Sequence, residues 1–175
     1  VTSSVSNGCA TTTFQLVVTI VPVAVINSNK YQTICSGTGF TVIPGGAYGD
    51  IVVPNTRYTW TYIDNPNVNG ESGVSSPTSE NRIVQTLTNL TNTLQTVVYN
   101  VTSVATTCAA ANFTITAYVK PKPTINTITN SICTALGFEV APTNGTNGIV
   151  PAGTTYSWPA PTITGGLTGG VSAAD

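Results

Sequence analysis

The side chains of this chain with the greatest chemical reactivity are four cysteines, Cys9, Cys35, Cys108 and Cys133. A cysteine attacks a substrate as its thiolate, and a nearby base or positive charge must lower the thiol pKa to supply that form. The sequence contains no His, and no base stands near any of the four cysteines in the chain. Ser-His-Asp and Cys-His catalysis is therefore excluded, and we predict no nucleophilic active site.

Carboxylates are the second group with catalytic potential. A glycosidase needs two of them on rigid elements, one on either side of the scissile bond. Five of the six acidic residues are instead scattered among predicted loops: Asp50, Asp64, Glu71, Glu80 and Glu139. The segment Asp64–Glu71 alternates oxygen-bearing side chains, but it has too few charges and no bidentate acid at the spacing of a calcium loop. We therefore predict no catalytic residue, no metal and no cofactor.

A covalent cross-link between Lys and a side-chain amide or acid would need a lysine buried beside its partner. Lys30 is the only lysine outside the segment Lys120–Pro123. Nothing in the sequence pairs Lys30 with an acid, so no such cross-link is predicted.

The chain repeats itself. The residues Cys35, Phe40, Val42, Tyr58 and Trp60 recur 98 positions later as Cys133, Phe138, Val140, Tyr156 and Trp158. A second match, with an offset of 99, relates Cys9 and Phe14 to Cys108 and Phe113. A period near one hundred residues is the size of one small domain, so the sequence indicates a tandem array of domains.

The phase of the repeat divides the chain into three parts. Residues 1–22 match the final strands of one unit, residues 23–122 form a complete unit, and residues 123–175 match the first part of the next. The segments Val21–Val23 and Lys120–Pro123 mark the boundaries as short Pro-rich linkers, which stiffen the chain in an extended form. We expect a window from a longer, rod-like protein. Whether the same or another chain completes the partial units stays open.

Three arrangements of the cysteines remain open. Two cysteines per unit suit a disulfide framework, in which Cys35 pairs with Cys108. Against this, the strands that follow these two cysteines run antiparallel in a seven-strand sandwich. Their starts then lie at opposite ends, beyond the roughly 7 Å that separates the Cα atoms of a disulfide. One alternative is a bridge from the end of one unit to the facing loop of the next, with partners outside this sequence, and Cys9 and Cys133 are the other cysteines that could form such bridges. The remaining alternative is that the cysteines are unpaired buried thiols.

Alternating apolar residues predict an all-β fold. The pattern is clearest in Phe113–Val119, where every second residue is apolar, and turn-forming clusters separate several such segments, including Phe14–Ile20. Short strands at this spacing indicate an immunoglobulin-like β-sandwich of about seven strands. The predicted core aromatics are Phe40, Tyr58, Trp60, Tyr99, Phe113 and Trp158.

The charge content limits the partners. Only 6% of the residues are charged and the net charge is −1, so the chain lacks the clustered Lys and Arg that nucleic acid requires. No apolar run reaches the roughly 18 residues of a membrane-spanning helix. A surface rich in hydroxyl and amide groups is typical of exported stalk proteins, which predicts an extracellular location.

The order of the motifs resembles the PKD-like repeats of giant Bacteroidota surface proteins. It is carried by Ile34–Val42, Ile51–Pro54, Tyr58–Trp60, Leu87–Thr102 and Cys108–Pro123. Such repeats occur in long adhesins, among them the mobile adhesin of gliding bacteria, which the type IX system exports. One departure from the repeated pattern is that Gly37 has Ala135 as its counterpart. We therefore expect that the turn after Cys35 and Cys133 does not strictly require a positive φ.

The resemblance implies a non-enzymatic repeat of a cell-surface adhesin or gliding filament, which acts as a semi-rigid stalk. The expected partners are neighbouring repeats and, in addition, other surface proteins, glycans or abiotic surfaces. A rival interpretation is a binding module in which the tip loop recognises a glycan or a filament through Asp64, Asn67, Asn69 and Glu71. A third is an accessory domain of an exported enzyme.

Overall fold

The computed structural model describes residues 1–3, 12–20, 24–27, 29–77, 81–105 and 110–174. Cys9, Glu80 and Cys108 lie outside these ranges. The described strands are β1 (Thr2–Ser3), β2 (Thr12–Thr13), β3 (Lys30–Cys35), β4 (Thr38–Val42), β5 (Arg57–Ile63), β6 (Val68–Asn69), β7 (Ile83–Asn89), β8 (Gln95–Val104), β9 (Asn112–Lys120), β10 (Thr124–Ile125), β11 (Gly148–Ile149), β12 (Ser157–Trp158) and β13 (Ala173–Ala174). A 3-10 turn spans Gly46–Tyr48. The described part of the chain has no helix long and apolar enough to cross a bilayer.

Strands β3 to β9 form a sandwich of two sheets. The four-stranded sheet has the order β3-β9-β8-β5 and the three-stranded sheet has the order β4-β7-β6. All neighbours within these sheets are antiparallel except β3 and β9, which run parallel. The all-β prediction is confirmed.

Alternation of apolar and polar residues explains why these segments are strands. In β7 the residues alternate strictly between buried and exposed, and β8 and β9 place every second side chain in the core. Burial of one face of each sheet against the other removes the apolar side chains from water, at about 25 cal/mol per Å². The core therefore lies between the two sheets.

Five of the six predicted core aromatics lie in this core. Phe40 packs edge-on against Tyr99 with ring centroids 5.9 Å apart, and Tyr58 packs edge-on against Phe113 at 6.0 Å. Trp60 is 6% exposed. Such edge-to-face pairs are the preferred arrangement of aromatic rings.

Trp158 differs from the expectation that it is a core residue, because half of its surface is exposed. The described strands that follow β9 are pairs of two residues each, β10 with β11 and β12 with β13. Two-residue pairs provide no second sheet on which the indole can be buried.

The predicted strand Phe14–Ile20 is also absent. The described residues 14–20 belong to no strand and are exposed, and β1 and β2 pair only at Thr2–Ser3 and Thr12–Thr13. An alternating segment becomes a strand when a neighbouring sheet buries its apolar face, and none of the described residues does so here.

Local hydrogen bonds recur within one residue of the spacing of the sequence repeat. The Trp60 indole N–H donates to the Ser72 carbonyl at 2.9 Å, and the Trp158 indole N–H donates to the Val171 carbonyl at 3.2 Å. The backbone around each Trp pairs in the same way, Trp60 with Val74 and Trp158 with Ala173. Equivalent residues thus form equivalent turns, although only the turn at Trp60 is part of the sandwich.

The turn after each cysteine corrects one expectation from the sequence. Gly37 has a φ of 81° and its counterpart Ala135 has a φ of 67°. The left-handed conformation is therefore kept at both positions, although a residue with a Cβ adopts it at a cost of roughly 1–2 kcal/mol.

Candidate functional site

The predicted recognition loop connects β5 to β7 and contains β6. Its hydrogen bonds are mostly internal to the domain. The Asn65 side-chain amide donates to Gln95 Oε1 at 3.2 Å and to the Thr96 carbonyl at 3.0 Å, and the Asn65 backbone N–H donates to Glu71 Oε1 at 3.2 Å. The Asn67 backbone N–H closes an Asx turn on Asn65 Oδ1 at 3.0 Å. The loop is therefore fixed against the start of β8.

Close packing also fixes the backbone of this loop. Val68 is buried. Gly70 has a φ of 96°, and a Cβ at this position would overlap the Thr86 carbonyl oxygen. Only glycine satisfies both conditions, because it accepts a positive φ and has no side chain to collide with the neighbouring strand.

The four loop residues singled out from the sequence differ in their exposure. Asp64, Asn67 and Asn69 are exposed and Glu71 is half-buried. Burial raises the pKa of the Glu71 carboxyl, the Asn65 N–H lowers it, and the neighbouring Asp64 charge raises it. Among the described residues no three His, Cys, Asp or Glu side chains are grouped as metal ligands would be.

A buried ion pair lies at the other end of the sandwich, and sequence reasoning missed it. Lys30 Nζ lies 2.9 Å from Asp50 Oδ1, and the two side chains are 3% and 0% exposed. The expectation that no acid pairs with Lys30 is therefore wrong. A charge that is buried this deeply persists only when it has a partner and its remaining hydrogen bonds are satisfied.

Backbone groups complete the surroundings of this pair. Asp50 accepts hydrogen bonds from the backbone N–H groups of Asn27 at 2.8 Å and Gly45 at 3.1 Å. Lys30 donates a second hydrogen bond to the Asn27 carbonyl at 2.6 Å, and its ammonium lies 4.6 Å from the centre of the Tyr48 ring. The pair thus joins the segment before β3 to the loop after β4.

One signal in the sequence could have revealed the pair. The counterparts of Lys30 and Asp50, 98 residues later, are Ile128 and Gly148. The two charges are therefore present together in one repeat and absent together in the other, as expected for groups that neutralise each other in a buried place.

Two buried tyrosines differ in how their hydroxyls are satisfied. The Tyr58 hydroxyl has no hydrogen-bond partner among the described residues. Burial and the nearby Asp50 charge raise the pKa of Tyr58 to about 12. The Tyr99 hydroxyl donates to Gln85 Oε1 at 3.4 Å, and burial, with smaller contributions from Glu71 and Tyr62, raises the pKa of Tyr99.

The described cysteines, Cys35 and Cys133, are exposed, and neither forms a disulfide with another described residue. Cys35 pairs in register with Lys120, at the end of β9, whereas the β8–β9 connection that contains Cys108 leads into the start of β9 at Asn112. These two ends of β9 are about 26 Å apart at 3.3 Å per residue. Because Cys108 and Cys9 lie outside the described residues, the disulfide pairing stays a prediction.

The two packed sheets, the parallel pairing of β3 with β9 and the buried Trp60 define an immunoglobulin-like β-sandwich. Comparison with known protein families matches residues 32–123 to a PKD-like domain, and because this match covers more than half of the chain, the chain belongs to the PKD-like domain family. No curated protein matches the chain. Immunoglobulin-type domains of this family are generally non-catalytic and typically extracellular, which fits a structural or adhesive repeat.

Proposed function

We propose that this chain is part of the stalk of a long secreted adhesin on a bacterial cell surface, of the kind used in adhesion and gliding and exported by the type IX system. Tandem PKD-like domains would act as a semi-rigid, non-enzymatic spacer. Their principal partners are neighbouring repeats of the same chain. Surface proteins, glycans or abiotic surfaces would be contacted by the filament as a whole.

The observation that carries this proposal is the recurrence of local geometry at the spacing of one domain. In both repeats a threonine hydroxyl donates to the carbonyl three residues earlier at 2.7 Å, Thr56 to Val53 and Thr154 to Pro151. The indole hydrogen bonds of Trp60 and Trp158 recur within one residue of this spacing. Equivalent sequences that form equivalent turns support the division of the chain into repeats of one domain, with boundaries near residues 22 and 122.

The connection after the sandwich supports a stiff array. Strand β9 ends at Lys120, and β10 begins at Thr124, so only residues 121–123 join them. Pro121 and Pro123 occupy two of these three positions. The Lys120 carbonyl accepts the Ser36 N–H at 2.9 Å, which holds the start of the connection against the domain. A short linker with two fixed φ angles restricts how one unit can rotate against the next.

Small-angle X-ray scattering on chains of one, two and three complete repeats tests the proposal. The maximum dimension should increase by a constant step of roughly 40 Å per repeat, the length of about ten residues of strand plus loops. A Pro121→Gly/Pro123→Gly variant should be shorter on average, and Pro142→Gly, outside the linker, is the matched control. A maximum dimension that does not grow in constant steps would contradict the stalk.

A further inference from the structure

The outer face of the four-stranded sheet carries a group of tyrosine, asparagine and threonine side chains. It turns away from the core, and alternation places Tyr31, Tyr118, Asn100, Asn112, Thr102 and Thr114 on it. We refer to these six residues as the tyrosine–asparagine face. They lie on the adjacent strands β3, β9 and β8.

An aromatic platform forms one part of this face. The rings of Tyr31 and Tyr118 are parallel to within 8°, with centroids 6.4 Å apart, and Tyr31 is 59% exposed. The parallel pairing of β3 with β9 brings them together, because Tyr31 pairs with Thr116 and Tyr118 pairs with Thr33. An exposed aromatic ring offers an apolar surface, and its hydroxyl offers a hydrogen-bonding edge.

A polar groove of about 450 Å³ continues the face along β8 and β9. Asn29, Asn100 and Asn112 line it together with Thr102 and Thr114. Within the described part of the chain, the side-chain amides of Asn100 and Asn112 make no hydrogen bond to another protein group, whereas Asn29 accepts one from Thr114. Two amides therefore have their donors and acceptors available to a ligand.

The face is also free of charge between its two ends. The outward-facing residues of β9 from Asn112 to Tyr118 pair with uncharged residues of β3 and β8. Lys30, which pairs with the inward-facing Ile115, is buried and does not reach this face. The nearest charged side chains on this sheet surface are Lys120 at one end and Arg57 at the other. An anionic ligand would have no counter-charge along the groove, so the face is suited to an uncharged one.

We propose that the tyrosine–asparagine face binds an extended, uncharged polysaccharide chain. Sugar rings have an apolar C–H surface, which packs on Tyr31 and Tyr118, and hydroxyl edges, which pair with Asn100, Asn112 and the threonines. This site goes beyond the stalk function, and it lies on the side of the sandwich rather than at the tip loop.

Affinity electrophoresis of the full chain tests this proposal. The native gels contain a soluble neutral β-glucan, xylan or galactomannan, and an alginate gel serves as the anionic counterpart. The protein should be retarded in at least one neutral gel and not by alginate. Isothermal titration should then show that Tyr31→Ala weakens binding about tenfold and that Asn100→Ala weakens it about fivefold.

Two further variants provide the controls. Tyr31→Phe keeps the ring and should retain most of the affinity. Asn67→Ala removes an exposed side-chain amide from the tip loop, and Asn67 makes hydrogen bonds only through its backbone. This variant should bind the polysaccharide as the unaltered protein does. No retardation in any neutral gel, retardation by alginate alone, or loss of binding in Asn67→Ala without loss in Tyr31→Ala would each overturn the proposal.

Discussion

Replacement of either member of the Lys30–Asp50 pair should destabilise the domain strongly. In Lys30→Met the Asp50 carboxylate stays buried with two backbone N–H donors and no cation. In Asp50→Asn the Lys30 ammonium stays 3% exposed with no anion. Breaking a buried pair by removing one partner costs about 3–5 kcal/mol. For a domain of this size that corresponds to a fall in Tm of roughly 12–40 °C.

The double variant Lys30→Met/Asp50→Asn should recover much of this loss, because no charge is then left buried alone. Replacement of a buried ion pair by uncharged groups is often nearly neutral. The second repeat, with Ile128 and Gly148 at these positions, already lacks both charges. The free energy of unfolding should therefore be strongly non-additive across the four proteins.

Chemical denaturation followed by circular dichroism measures the four free energies of unfolding. Lys120→Met removes an exposed lysine of the same sandwich and should change stability by less than about 0.5 kcal/mol. An amide bond between Lys30 and Asp50 would replace the ion pair and would lower the mass of the protein by one water molecule. Intact mass spectrometry must therefore show no loss of water. A cost below about 1 kcal/mol for both single variants, or additive costs in the double variant, would refute this reasoning.

Three further predictions concern buried or strained positions. Tyr58→Phe removes a buried hydroxyl that has no partner and should stabilise the domain by about 1 kcal/mol, whereas Tyr99→Phe, which loses a hydrogen bond, should not. Because the folded-state pKa of Tyr58 is raised to about 12, this hydroxyl ionises at lower pH in the unfolded protein than in the folded one. The unaltered protein should therefore lose stability relative to Tyr58→Phe as the pH rises through about 12. Gly70→Ala should destabilise the domain by at least about 2 kcal/mol, because the new Cβ combines a positive φ with a collision against backbone. Gly37→Ala should destabilise it by about 1 kcal/mol, because this position has a positive φ but lies in open space. Because the folded-state pKa of Glu71 is raised, the folded form holds this proton more tightly. The unaltered protein should therefore gain stability relative to Glu71→Gln as the pH falls from 7 to below the ordinary glutamate pKa; denaturation at pH 7 and pH 4 measures the difference, and an opposite sign would contradict the assigned cause.

Periodicity alone was enough to predict the sandwich and most of its core. Residues of alternating polarity, as in Phe113–Val119, define which side of a strand is buried before its partners are known. The buried positions of Trp60, Tyr58 and Tyr99 follow from that rule. It failed for Phe14–Ile20 and Trp158 because a periodic segment is buried only where another sheet covers it.

The candidate sites depended on contacts that periodicity cannot specify. Lys30 and Asp50 are 20 residues apart, and the loop after β4 brings them together. Tyr31 and Tyr118 become neighbours only because β3 pairs parallel to β9. The sequence by itself determined the repeat, the strands and their inward faces, since these depend on local alternation. Only the tertiary structure decided which polar and aromatic residues meet, since sheet order and register are set by packing between distant segments.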